Sequence, residues 1–177
     1  MDKKEILARV DHTLLDPTAG WEDIRRVLDD ALHYGTASAC IPPAYVRQAA
    51  EQVEGLLPIC TVIGFPNGYS TVAVKTFEAA AAVQDGADEI DMVLNIGLLK
   101  AHRDAEVQAE IMMVHDSCRG KLVKVIIETC LLTEEEKIRA CHLVTEAGAE
   151  YIKTSTGFST GGATFEDVAL LRKHVGP

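Results

Sequence analysis

A chain of 177 residues with 47% hydrophobic content can bury one substantial core, which argues for one domain over residues 1–177. Its formal charge of -10 argues against a nucleic-acid partner, which calls for a basic surface, but leaves room for a small anionic metabolite held by backbone N–H groups and one local cation. No stretch approaches the roughly 20 apolar residues of a membrane span, and the charged N-terminus lacks the apolar centre of a signal peptide.

A short amphipathic helix opens the chain, followed by a brief strand at Asp11-His12-Thr13-Leu14-Leu15 that Pro17 stops. Trp21, Ile24, Val27, Leu28 and Ala31 recur at helical spacing, and Gly35 is placed to end that helix. Residues 36–40 read as a buried strand, and a helix follows from about Ala44 to Gly55. Residues 59–65 form an apolar, β-branched run ended by the turn signal Pro66-Asn67-Gly68. An alanine-rich helix over 72–84 precedes a strand at 89–94, and Val107, Ile111, Val114 and Cys118 mark one face of the next helix. Strand 122–127, helix 134–147 and strand 151–155 complete the alternation, with Phe165, Val168, Leu171 and Val175 as a last helical stripe.

Six near-continuous apolar strands, each followed by an amphipathic helix, predict a parallel sheet covered on its outer face. An open doubly wound sheet is the competitor, but no strand is followed by a G-x-G-x-x-G fingerprint. A complete eight-stranded barrel typically takes about 250 residues, so the expected architecture is an incomplete TIM-type (β/α)8 barrel of about six units.

Charged residues inside these short strands carry the chemical signal. Lys153 sits in Tyr151-Ile152-Lys153-Thr154, Lys124 in Leu122-Val123-Lys124-Val125, and Asp91 in Glu89-Ile90-Asp91-Met92. Alternation along barrel strands lets all three point into one interior, where charges require partners. One reading is a structural ion-pair network or lysine stems reaching the rim. The other is an amine nucleophile, since desolvation and a neighbouring cation both disfavour the ammonium form. Thr154-Ser155-Thr156-Gly157 and Ser159-Thr160-Gly161-Gly162 read either as an ordinary loop or as a phosphate cradle. Six scattered histidines and five cysteines without a CxxC pair support no metal site. The odd cysteine count points instead to a reducing cytoplasm, with most thiols packed as small hydrophobes.

At these positions the sequence resembles the 2-deoxyribose-5-phosphate aldolase (DeoC) family of class I aldolases. The motifs, in family order, are Asp11-His12-Thr13-Leu14-Leu15, Ala39-Cys40-Ile41-Pro42-Pro43, Val62-Ile63-Gly64-Phe65-Pro66-Asn67-Gly68, Gly86-Ala87-Asp88-Glu89-Ile90-Asp91-Met92-Val93, Lys124-Val125-Ile126-Ile127-Glu128-Thr129 and Tyr151-Ile152-Lys153-Thr154-Ser155-Thr156-Gly157.

The resemblance implies Lys153 as the Schiff-base lysine and Asp91 as the acid/base of its proton relay. It implies Lys124 as the strand-five lysine near the reaction centre and Asp11 as a carboxylate near the sugar hydroxyl. Cys40 is then a pocket-lining residue, and Thr156 and Gly157 begin a loop that helps hold the substrate phosphate; Phe158 stands where some members carry lysine. The implied reaction is reversible cleavage of 2-deoxy-D-ribose 5-phosphate to acetaldehyde and D-glyceraldehyde 3-phosphate, with no metal or organic cofactor. The family continues into a seventh strand with a second lysine and an eighth strand ending in a Gly/Ser phosphate loop, whereas the resemblance here runs out at Arg172-Lys173-His174-Val175-Gly176-Pro177. An incomplete barrel with reduced turnover, associated as a homo-oligomer over its open edges, is therefore expected. The alternative is a non-catalytic oligomeric scaffold.

Overall fold

The computed structural model describes residues 2–176. Strands β1 (Asp11–Thr13), β2 (Ser38–Ile41), β3 (Ile59–Ile63), β4 (Glu89–Val93), β5 (Leu122–Ile126) and β6 (Tyr151–Lys153) form one parallel sheet in the order β1-β2-β3-β4-β5-β6. The helices are α1 (Lys3–Leu7), α2 (Trp21–Tyr34), α3 (Val46–Val53), α4 (Val72–Gln84), α5 (Ile96–Lys100), α6 (Asp104–Ser117), α7 (Glu134–Glu146) and α8 (Phe165–His174). Sequential strand order is what barrel winding gives; a doubly wound sheet reverses direction at a switch point.

Local chemistry sets several boundaries. Gly35 closes α2 in the left-handed conformation at φ 66°. Thr133 caps α7 through the Glu136 N–H while Glu136 reaches back to the Thr133 N–H, and Glu134, Glu135 and Glu136 place negative charge in its first turn. The strands stop earlier than their apolar runs. After Ile63 the chain turns at Gly64, φ 59°, so Phe65 lies outside β3. The helix expected from about Ala44 is preceded by a 3-10 turn over residues 43–45 that starts at Pro43, and α3 itself begins at Val46. α5 has five residues, too few to show a period; Asn95 caps it by accepting from the Leu98 N–H.

Side chains alternate cleanly across the sheet. Ala39, Ile41, Ile59, Ile63, Ile90, Met92, Val123 and Val125 face the helices and join the main core with Ile24, Leu28, Ile111 and Val114. Cys40, Cys60 and Val62, with Leu15 and Phe65, form a separate small cluster on the inner face. The same inner face carries Asp11, Asp91, Lys124 and Lys153. One departure from the expected pattern lies in α8, where Leu171 is buried but Phe165 and Val168 are exposed. Val168, Leu171 and Val175 line a groove of about 600 Å³ with Tyr151 and Ile152 of β6, so this stripe faces an open groove.

Candidate active site

Five charged groups from four strands meet inside the sheet. Lys124 Nζ is 2.7 Å from Asp11 Oδ2, 2.7 Å from Glu89 Oε2 and 3.1 Å from Asp91 Oδ1. Asp91 and Lys124 are register partners on β4 and β5, which is why the adjacent side chains pair. Lys153 Nζ lies 3.3 Å from Asp11 Oδ2 and donates a short hydrogen bond to Asp91 Oδ2. Asp11 also accepts from Ser38 Oγ at 2.9 Å, and Asp91 Oδ1 accepts from the Cys60 thiol at 3.3 Å. Three carboxylates thus surround two ammonium groups, and the pairing offsets the cost of burying each charge.

The two lysines differ in access. The Lys153 side chain is 31% exposed, against 9% for Lys124 and 1% for Asp91. Burial disfavours the Lys124 ammonium, but the surrounding Cys60, Asp91, Asp11 and Glu89 outweigh it and hold its pKa well above the usual lysine value. Lys153 follows the same logic: burial lowers its pKa, the Asp91 charge and hydrogen bond raise it more, and the net shift is upward despite the opposing charge of Lys124. For Asp11, burial acts upward but is overcome by Lys124, Lys153 and Ser38, leaving its pKa lowered. Lys153 is therefore held as an ammonium beside Asp91, and a neutral amine requires a proton to leave Lys153.

Cys40 lies beside this cluster, with its sulfur within 4.8 Å of the Cys60 sulfur and an Asp91 oxygen. Thr156 and Gly157 belong to the loop after β6 and have different partners. The Thr156 N–H donates to both oxygens of Glu128 at 3.3 Å, its hydroxyl donates a short bond to Glu128 Oε2, and that hydroxyl oxygen accepts from the Phe158 N–H at 3.0 Å. Glu128 itself is buried and sits in the left-handed region at φ 52°, which turns the chain at the end of β5. Gly157 follows at φ 84°, a conformation that favours glycine. Phe158 packs edge-on against Phe65 with ring centroids 5.3 Å apart, joining this loop to the one after β3.

Asp11, Asp91, Lys124 and Lys153 thus converge, while Thr156 spends its polar groups on Glu128. Glu89, Ser38, Cys60 and Glu128 are neighbours that sequence reasoning passed over. For Cys60 and Glu89 a signal existed: each stands two residues from an inward position on its strand, Val62 and Asp91 respectively, so alternation puts it on the same face.

The family model for DeoC/LacD aldolases matches residues 4–175. The chain belongs to this aldolase family. A deoxyribose-phosphate aldolase of Streptococcus pyogenes is 58% identical over 176 residues, spanning 99% of this chain and 79% of that protein. A solved structure from Coccidioides immitis superposes on this aldolase with a TM-score of 0.94 at 38% identity, covering 97% of this chain and 68% of that one. A structure from Aeropyrum pernix, described as a tetrameric deoxyribose phosphate aldolase, gives 0.89 at 32% identity, covering 97% and 73%. By family the aldolase is a carbon–carbon lyase, and its six parallel strands are an incomplete TIM-type barrel, as read from the sequence.

Proposed function

We propose that this aldolase reversibly cleaves 2-deoxy-D-ribose 5-phosphate to acetaldehyde and D-glyceraldehyde 3-phosphate through an imine on Lys153. The observation that carries the reading is the pairing of Lys153, the more exposed of the two interior lysines, with the buried carboxylate of Asp91. A nucleophilic amine needs access to a carbonyl and a nearby group able to take its proton, and this pair supplies both.

Proton transfer from Lys153 to Asp91 gives the neutral amine, which attacks the aldehyde carbon of the open-chain sugar. Loss of water yields the protonated imine. Removal of the C3 hydroxyl proton lets the C2–C3 bond break; its electrons pass to the imine nitrogen as an enamine forms, and the phosphorylated aldehyde departs. Protonation at C2 and hydrolysis then release acetaldehyde and restore Lys153. The imine is the electron sink, so no step requires a metal or organic cofactor. Lys124, held charged among Asp11, Glu89 and Asp91, fixes the two aspartates and adds positive field beside Lys153. Asp11, anchored by Ser38 and Lys124, is the carboxylate for a sugar hydroxyl. Each unit by which the Lys153 pKa exceeds the working pH costs about 1.4 kcal/mol, or tenfold in neutral amine.

On this reading Cys40 lines the pocket. The phosphate meets N–H groups from Gly157 onward, with Thr156 shaping the loop through Glu128. Assembly as a homo-oligomer accords with the tetramer described for the Aeropyrum pernix protein. Free, mostly buried thiols suit a reducing cytoplasm.

The test is borohydride reduction in the presence of acetaldehyde, with peptide mass mapping, beside a kinetic assay on the phosphosugar. A reduced adduct on Lys153, lost in Lys153→Met, is expected. An adduct on a different lysine would overturn the assignment. A folded protein forming no adduct would favour the non-catalytic scaffold.

A further inference from the structure

The inner face holds a donor set of two thiols and one carboxylate, of which the aldol reading uses the Asp91 carboxylate and gives neither thiol any chemistry. Cys40 and Cys60 are Cα partners on β2 and β3, so both side chains leave the sheet on the same side. Both are buried free thiols. One ligand atom from each, together with a carboxylate oxygen of Asp91, lies within 4.8 Å of the others. We infer that Cys40, Cys60 and Asp91 form a site for a thiophilic divalent cation of the zinc or cadmium type, whose binding withdraws Asp91 from Lys153 and blocks the imine site.

Spacing, ligand type and charge all fit such an ion. The spacing fits: bonds of about 2.3 Å in a tetrahedral site place two sulfurs about 3.8 Å apart, inside the observed 4.8 Å envelope. The ligand types fit, because two thiolates select soft or borderline cations over magnesium or calcium, and a carboxylate commonly completes such a set. The charge also balances. Coordination replaces two thiol protons with one divalent cation, M²⁺ + 2 RSH → M(SR)₂ + 2 H⁺, so the interior gains no net charge. That exchange avoids the penalty of adding a bare dication beside Lys124 and Lys153.

The functional consequence follows from Asp91. An ion there competes with both lysines for its carboxylate, and Lys153, 31% exposed against 9% for Lys124, is the one able to turn toward solvent. Lys153 then loses the acceptor for its proton. This last step rests on the imine reading above; the binding site itself does not.

The experiment is a cadmium chloride titration of the reduced, chelator-treated protein, following the ultraviolet cadmium–thiolate charge-transfer band and proton release. Saturation at one ion per chain, with release of two protons, is expected from the paired thiols. Cys40→Ala and Cys60→Ala should each weaken binding at least about tenfold, whereas Cys130→Ser, at an exposed thiol, should leave it unchanged. Cadmium-edge X-ray absorption on the unaltered protein reads the sulfur count directly, so the result stands even if a core variant fails to fold. No saturable band, a single sulfur ligand, or loss of the band in Cys130→Ser would overturn the site. Borohydride trapping on Lys153 should fall as the band saturates; trapping that persists at saturation would overturn the block. Absence of trapping in metal-free protein would instead count against the imine reading while the cadmium result stood.

Discussion

Replacing Lys75 with methionine should destabilise the protein far more than any surface charge substitution. Lys75 on α4 and Glu110 on α6 are an ion pair at 2.9 Å with side chains 0% and 4% exposed. Lys75 Nζ also donates to the Val93 carbonyl at 2.8 Å, at the end of β4 and two residues beyond Asp91. Desolvation lowers the lysine pKa and raises that of the glutamate, each opposed by the partner's charge. Lys75→Met keeps the volume but leaves Glu110 buried and unpaired, which costs about 3–5 kcal/mol. At roughly 2–4 °C per kcal/mol for a chain of this size, the midpoint falls by about 6–20 °C. In the double variant Lys75→Met/Glu110→Leu the stranded charge is gone, and most of the loss should return, within about 2 kcal/mol of the parent. Urea and thermal unfolding followed by fluorescence of Trp21, the single tryptophan, measures all three proteins. A Lys75→Met penalty below about 1 kcal/mol, or a double variant no more stable than Lys75→Met, would refute the argument.

Gly68→Ala should cost at least about 2 kcal/mol in the same assay, because φ is 73° and a Cβ would stand 2.1 Å from the Leu94 carbonyl oxygen, a backbone atom with little freedom to move. Asp11 contributes a pH dependence whose sign is set by its lowered pKa. Its stabilisation is present above the unfolded value near 3.8 and is lost as pH falls through the folded value, so the stability gap between parent and Asp11→Asn should narrow below pH 3.8 in urea titrations. Glu128→Ala releases the Thr156 N–H and hydroxyl; on the proposed function, KM for the phosphosugar should rise at least about tenfold while borohydride trapping with acetaldehyde is retained.

Lys124, Lys153 and Asp91 were legible in the sequence because a charge within a short apolar strand needs a partner inside the same interior. Glu89, two residues before Asp91, shares its face by alternation, but its pairing with Lys124, like that of Ser38 with Asp11, depends on strand register. Cys60 packs as a small hydrophobe, but it also donates to Asp91. Thr156 shows the converse. Its hydroxyl and position suggested a phosphate contact, but a buried glutamate from the preceding strand end takes its donors. The helical stripe of α8 follows from spacing alone, and spacing does not say which neighbour covers each position; Leu171 is covered while Val168 and Phe165 are not.

The alternation across the sheet has a consequence for how this protein can change. Ile90 and Met92 belong to the helix-facing core, while Asp91 between them belongs to the charged interior; Val123 and Val125 flank Lys124 in the same way. Neighbouring codons on one strand therefore answer to different constraints, one set to hydrophobic volume and the next to charge and proton position. Repacking the helix side leaves the polar inventory intact, and altering the polar inventory leaves the repacked layer intact, provided the backbone register holds. Substrate preference and thermal tolerance can drift on separate tracks within the same five-residue segment, and a saturation scan along β4 would resolve them as two interleaved profiles.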